Sequence, residues 1–158
     1  EWRQRLYPVG RLDYDASGLL LLTDDGALAH ALTHPRFAVR KTYHVLVAGA
    51  VGPQALSRLR HGVMLDDGPT APAHARVLET SPGQTVLELT IREGRKREIK
   101  RMCAAVGHPV RALLRVSMGG VELGALPVGK WRRLKPAEVD RLRRSARQDA
   151  APAAGRDD

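Results

Sequence analysis

Cysteine is nearly missing from this sequence. Cys103 is the only one in 158 residues, so no internal disulfide can form, and a reducing, cytoplasmic setting is expected. Its neighbours Met102, Ala104 and Val106 mark it as a buried structural thiol rather than a nucleophile. Long apolar runs are missing too. None approaches the roughly 18 residues of a membrane-spanning helix, and no strongly amphipathic basic helix is present, so no membrane partner is expected. The first residues, Glu1-Trp2-Arg3-Gln4-Arg5, are charged and lead into no signal-peptide core. The six histidines fall at 30, 34, 44, 61, 74 and 108, none at zinc-ligand spacing with a cysteine or carboxylate. Asp24-Asp25-Gly26 and Asp66-Asp67-Gly68 read as turns, because the alternating ligands of a calcium loop are missing. No phosphate-cradling glycine loop occurs. The chain is therefore expected to use no metal and no cofactor. Acidic residues are also in deficit: 26 Lys and Arg face 17 Asp and Glu, a formal net charge of +9. Such a surplus favours a polyanionic partner, nucleic acid before membrane.

What is present reads as one domain with a real core. Leu6 to Val9 is a short edge strand, since it contains Pro8. Leu19 to Leu22 is a continuous apolar run, which predicts a strand buried on both faces. Asp25 caps a helix over Gly26 to Leu32, ended by His34-Pro35. Arg40 to Val47 alternates as a strand, with Tyr43, Val45 and Val47 on one face. Pro53 to Arg60 is a helix stopped by Gly62. Val63 to Leu65 is a strand fragment. His74 to Glu79 and Thr85 to Ile91 form a hairpin with a loop longer than two residues. Glu98 to Val106 is a helix facing inward through Ile99, Met102 and Cys103. Val110 to Val116 is a strand, Val121 to Leu126 and Trp131 to Leu134 a last short pair, and Pro136 to Arg144 a helix. The hairpins imply an α+β fold whose mixed sheet is largely antiparallel and flanked by helices. Residues 1–144 are expected to form the domain, and 145–158 a disordered tail.

The chemistry concentrates in three stretches. Gly10-Arg11-Leu12-Asp13 and Ser17-Gly18, followed by four leucines and Thr23-Asp24-Asp25-Gly26, place a carboxylate on a loop at the edge of a sheet. Lys41-Thr42-Tyr43 follows a strand later. The third stretch is Glu93-Gly94-Arg95-Lys96-Arg97-Glu98-Ile99-Lys100-Arg101-Met102. Together these resemble the motifs of the ribosomal RNA pseudouridine synthases of the RsuA/RluB branch. The similarity runs from about Leu6 to Leu142 and continues through Gly107-His108-Pro109-Val110 and Leu113-Leu114-Arg115. One departure stands out: Glu98 occupies a place where that family usually has Gln.

The resemblance implies a pseudouridine synthase catalytic domain that isomerises a uridine of ribosomal RNA, with large-subunit RNA favoured. It makes Asp13 the catalytic residue, Lys100 its basic partner, and Tyr43 a ring stacked under the freed base. Arg11, Arg95, Arg97 and Arg115 become candidates for RNA phosphates, and Leu114 a contact to the base. It also implies ribosomal RNA as partner, a monomeric chain, and upstream elements that the family carries and this sequence does not show. These are a small RNA-binding domain and the first strand of the sheet. The alternative is a non-catalytic ribosomal-RNA-binding module derived from such an enzyme.

Overall fold

Fourteen regular elements follow one another in the computed structural model, which describes residues 3–148. They are β1 (Tyr7–Pro8), β2 (Ser17–Gly18), β3 (Leu22–Thr23), α1 (Gly26–Thr33), β4 (Lys41–Ala48), α2 (Pro53–His61), β5 (Met64–Leu65), β6 (Gly68–Pro69), β7 (His74–Ser81), β8 (Gln84–Ile91), α3 (Glu98–Ala105), β9 (Val110–Met118), β10 (Val121–Glu122) and α4 (Pro136–Gln148). A short 3-10 turn at Pro35–Phe37 follows α1. The main sheet runs β10-β9-β4-β8-β7, and β2 adds to β9. All of its pairs are antiparallel except β2 with β9. The α+β architecture with a mixed, mostly antiparallel sheet is therefore the one the sequence predicts.

The hydrophobic interior is divided. On one face of the sheet Val45, Val47, Leu87, Leu89 and Ile91 pack against α2 through Leu59 and against α3 through Ile99, Met102 and Cys103. A second cluster joins Val9, Leu19, Leu21, Leu32, Val39, Met118 and Val121 to Leu142 and Ala146 of α4. Residues 10–16 span the gap between them. Val9 belongs to the second cluster, and Ala16 packs on the first.

Four expectations are corrected. The leucine run is not buried on both faces: Leu19 and Leu21 are buried, whereas Leu20 and Leu22 are exposed. Only one side of this segment meets the core, so it follows the period-2 rule of a one-sided strand. The β7–β8 loop is just Pro82-Gly83, because Ser81 already pairs with Gln84; Gly83 takes the positive φ (+75°) that the tight turn requires. No strand forms at Trp131–Leu134. The stretch before it turns at Gly124 and Gly129, both at positive φ, and Trp131 stays exposed. Finally, α4 does not end at Arg144 but continues to Gln148, because Ala146 finds a place in the second cluster. The rest of the expected tail, 149–158, lies outside the described residues.

Candidate active site

The loop carrying Asp13 is fixed at both ends by main-chain bonds. Val9 N donates to Leu21 O (2.8 Å), and Leu19 N to Arg115 O (2.8 Å). Gly18 explains the Ser-Gly pair in the first motif. Its φ is +113°, and a Cβ built there would lie 2.2 Å from the carbonyl oxygen of Arg115. Only glycine lets β2 approach β9 this closely.

Lys100 projects from the first turn of α3 toward this loop, 87 residues away in sequence. Its Nζ lies 3.4 Å from Asp13 Oδ2. It also donates to Asp15 Oδ1, a residue the sequence reading did not single out. Arg97 approaches the same Asp15 at 3.5 Å. The Lys100 bond is the chief reason the Asp15 carboxyl falls below its ordinary range, Arg97 adding to it. Lys100 is thus shared between two carboxylates rather than devoted to Asp13. Asp15 was legible in principle, lying two residues along the same turn.

Asp13 and Arg97 open onto a cavity of about 680 Å³, within the range of small-ligand sites; Lys100 and Asp15 stand outside the lining of this cavity. Asp13, Tyr43, Lys41, Arg95, Glu98 and Arg115 are among the residues lining it. Lys41 was quoted in the sequence motif but given no role. Its position two residues before Tyr43 on β4 is the signal that places both on one sheet face. Burial pushes the Lys41 amine below its ordinary value, Arg115 adds to that, and Glu98 and Glu93 oppose it. Glu98 is buried at the start of α3. Burial raises its carboxyl above the ordinary value, and Glu93 adds to the rise. Its Oε1 accepts from Arg95 N at 3.2 Å.

The remaining predicted residues divide. Arg11 is exposed at the cavity rim, and Arg97 is partly exposed beside Asp15. Arg95 is held by Asp67 (3.1 Å) and flanked by Glu93 and Glu98. Arg115 is 3% exposed, and its Nε donates to Leu19 O at 2.8 Å. It lines the cavity rather than the outer surface. Leu114 does not line the cavity; Leu113 does. Strand alternation puts Leu113 and Arg115 on one face of β9 and Leu114 on the other. Cys103 is fully buried, and burial pushes its thiol up to about 12, as expected for an inert structural thiol.

The chain belongs to the RNA pseudouridylate synthase family, whose sequence profile matches residues 2–105. It is similar to ribosomal large subunit pseudouridine synthase B of Bacillus subtilis, at 46% identity over 142 residues, covering 89% of this chain and 58% of that relative. It is also similar to ribosomal large subunit pseudouridine synthase E of Xanthomonas campestris, at 47% over 143 residues, covering 81% and 76%. A crystal structure of a pseudouridylate synthase superposes with a TM-score of 0.81 at 38% identity, covering 87% of this chain and 59% of that one. The chain thus spans less than three fifths of the Bacillus relative. Among the described residues, no helix is long and apolar enough to cross a membrane.

Proposed function

We propose that this chain is the catalytic unit of an enzyme that converts a uridine of ribosomal RNA, in the large subunit, to pseudouridine. The observation that carries the reading is the Asp13–Lys100 pair at 3.4 Å, whose Asp13 lies in the wall of the cavity that Tyr43 also lines. The names of the similar enzymes support the substrate class.

A uridine stacked in RNA hides its glycosidic bond, so the nucleotide must swing out into the cavity, at a cost of a few kcal/mol. Arg11, Arg97 and Lys96, all cavity-lining residues, offset that cost through phosphate contacts. Asp13 then acts on the ribose, and the bond from the anomeric carbon to ring N1 breaks. The uracil turns against Tyr43, and the anomeric carbon bonds to ring C5. C5 loses a proton and N1 gains one, so atoms and electrons balance without a redox partner. The chain works as a monomer in the cytoplasm in this reading.

The test is release of tritium to water from ribosomal RNA labelled at uridine C5. The wild-type chain releases it. Asp13→Asn, which keeps the side-chain shape, binds the RNA equally and releases none. Release by Asp13→Asn at the wild-type rate, or none by the wild type, would overturn the proposal.

A further inference from the structure

Four buried side-chain atoms among the described residues lack a hydrogen-bond partner: Arg95 Nε, Arg95 Nη2, Glu98 Oε2 and Arg115 Nη2. The three residues that own them all line the cavity of Asp13 and Tyr43. Native proteins leave few such atoms, and each calls for an explanation. Arg95 Nε and Nη2 still face Glu98 and Glu93 at 3.6 and 3.7 Å; Glu98 Oε2 and Arg115 Nη2 remain, and they point to a ligand that completes them.

The placement of each group follows from the sheet and from α3. Arg115 stands directly across from Tyr43 in the β4–β9 register, so guanidinium and phenol are neighbours on one face. Its Nε is committed to Leu19 O, which fixes the fork and leaves Nη2 free to donate. Lys41 lies two residues from Tyr43 on the same face, its amine against the backbone of Gly94, where a Cβ would come within 3.1 Å. Glu98 spends Oε1 on the Arg95 main chain, and Oε2 remains to accept. The cavity interior therefore offers cationic donors beside one anionic acceptor.

We infer that Arg115 and Lys41 donate to the carbonyl oxygens of the everted uracil while Glu98 Oε2 accepts from its N3–H, so that these three side chains select uracil over cytosine. The inference rests on the proposed function and extends it to base recognition. Uracil presents a carbonyl, an N–H and a second carbonyl along this edge. Cytosine presents a bare N3 and an exocyclic amine. With cytosine, the Glu98 carboxylate would meet a lone pair and the cation facing C4 would meet N–H hydrogens, while the other cation would still find the C2 carbonyl. A site built around buried hydrogen-bonding groups rejects a ligand that leaves them unpaired far more strongly than an apolar pocket can. A Gln at this position would offer one acceptor oxygen in place of two, and could accept from N3–H only by releasing Arg95 N.

The experiment measures single-turnover tritium release, affinity for a ribosomal RNA transcript, and melting temperature for four proteins. These are the wild type, Glu98→Gln, Glu98→Met and Lys41→Met. Glu98→Gln should lose less rate than Glu98→Met, because its one amide oxygen can still accept from N3–H, as a neutral bond in place of a charged one. Glu98→Met and Lys41→Met should each lose about 10- to 100-fold in rate, the value of one hydrogen bond to a charged group. RNA affinity should be unchanged, since phosphate contacts made by other residues, Arg11, Lys96 and Arg97, dominate it. A purely structural role for Glu98 predicts a lowered melting temperature for Glu98→Met instead, with Glu98→Gln giving no rescue. Wild-type rates in both methionine variants would overturn the inference and leave the proposed function standing. If Glu98→Met does not fold, a wild-type rate in Lys41→Met overturns it alone. No release by the wild type would overturn both.

Discussion

Replacing Glu138 by Gln should loosen α4 by an amount that depends on pH. Glu138 is 6% exposed and receives both forks of Arg132, at 2.7 Å each. It also accepts from Lys135 N at 2.9 Å, the reach-back bond of a capping box at the head of a helix. The Arg132 bond, with that main-chain bond behind it, lowers the Glu138 carboxyl from 4.5 to about 2. At about 1.4 kcal/mol per pH unit, that fall corresponds to about 3 kcal/mol. Arg132 keeps 37% of its side chain in water, and solvent screening reduces the value to about 1–2 kcal/mol.

Because the folded-state value lies below the ordinary one, this stabilisation is complete above pH 4.5 and drains away as pH falls toward 2. Gln carries none of it. Urea unfolding of both proteins at pH 7, 5, 4 and 3 should show the variant about 1–2 kcal/mol less stable at pH 7 and 5, with the gap less than half as large by about pH 3. Other titrating groups are shared by the two proteins and cancel in the difference. A gap independent of pH, or none at pH 7, would refute the reasoning. The consequence reaches the active site, because Leu142 and Ala146 of α4 pack in the cluster that holds Val9, Leu19 and Leu21, the residues flanking the Asp13 loop.

Three further outcomes are expected. Gly18→Ala forces a Cβ into the Arg115 carbonyl at 2.2 Å and should cost at least 2–3 kcal/mol in urea unfolding; a loss under 0.5 kcal/mol would mean that β2 and β9 do not pair this closely. Lys100→Met should lower single-turnover tritium release about 10²-fold or more, whereas Asp15→Asn, which removes only the competing carboxylate, should stay within about 3-fold. Equal losses in the two would show that Lys100 acts through Asp15. Cys103 should resist iodoacetamide at pH 8 in the folded protein and react at once in 8 M urea, since its thiol sits at about 12; fast labelling without urea would contradict its burial.

The sequence revealed most where chemistry forces particular residues into particular order. Asp13, Tyr43 and Lys100 were legible as candidates, and only the fold brings Lys100 across 87 residues to Asp13. The long strands were readable because alternation over eight residues leaves little choice of face. Short strands were not. Ser17–Gly18 carries no periodicity, yet its two residues make the parallel pair that anchors the loop. The leucine run misled because a continuous apolar string can be buried on both faces or on one, and only the position of the second cluster decides. The burial of Arg115 was not legible: a lone arginine in a basic sequence looks like surface charge, and nothing local reveals that the Leu19 carbonyl holds it inside.

The division of the core accounts for where the site lies. Asp13 sits on the segment joined to the second cluster through Val9, and Lys100 stands on the helix that Ile99, Met102 and Cys103 fix to the first. Their separation is therefore set by how the two clusters pack against each other, and not by either one alone. The buried, incompletely paired Glu98 and Arg115 lie in the cavity at that junction. Close-packed interiors tolerate few such groups unless their cost is offset. Here the two clusters supply the surrounding rigidity, so the polar groups stay aimed at the cavity instead of collapsing onto one another. Overpacking substitutions in either cluster, such as Val47→Ile or Val121→Ile, should accordingly disturb catalysis more than overall stability suggests, because they shift Asp13 relative to Lys100. Comparing single-turnover rates with urea midpoints across such variants checks this; rates that simply follow stability would show that the Asp13–Lys100 geometry is set locally.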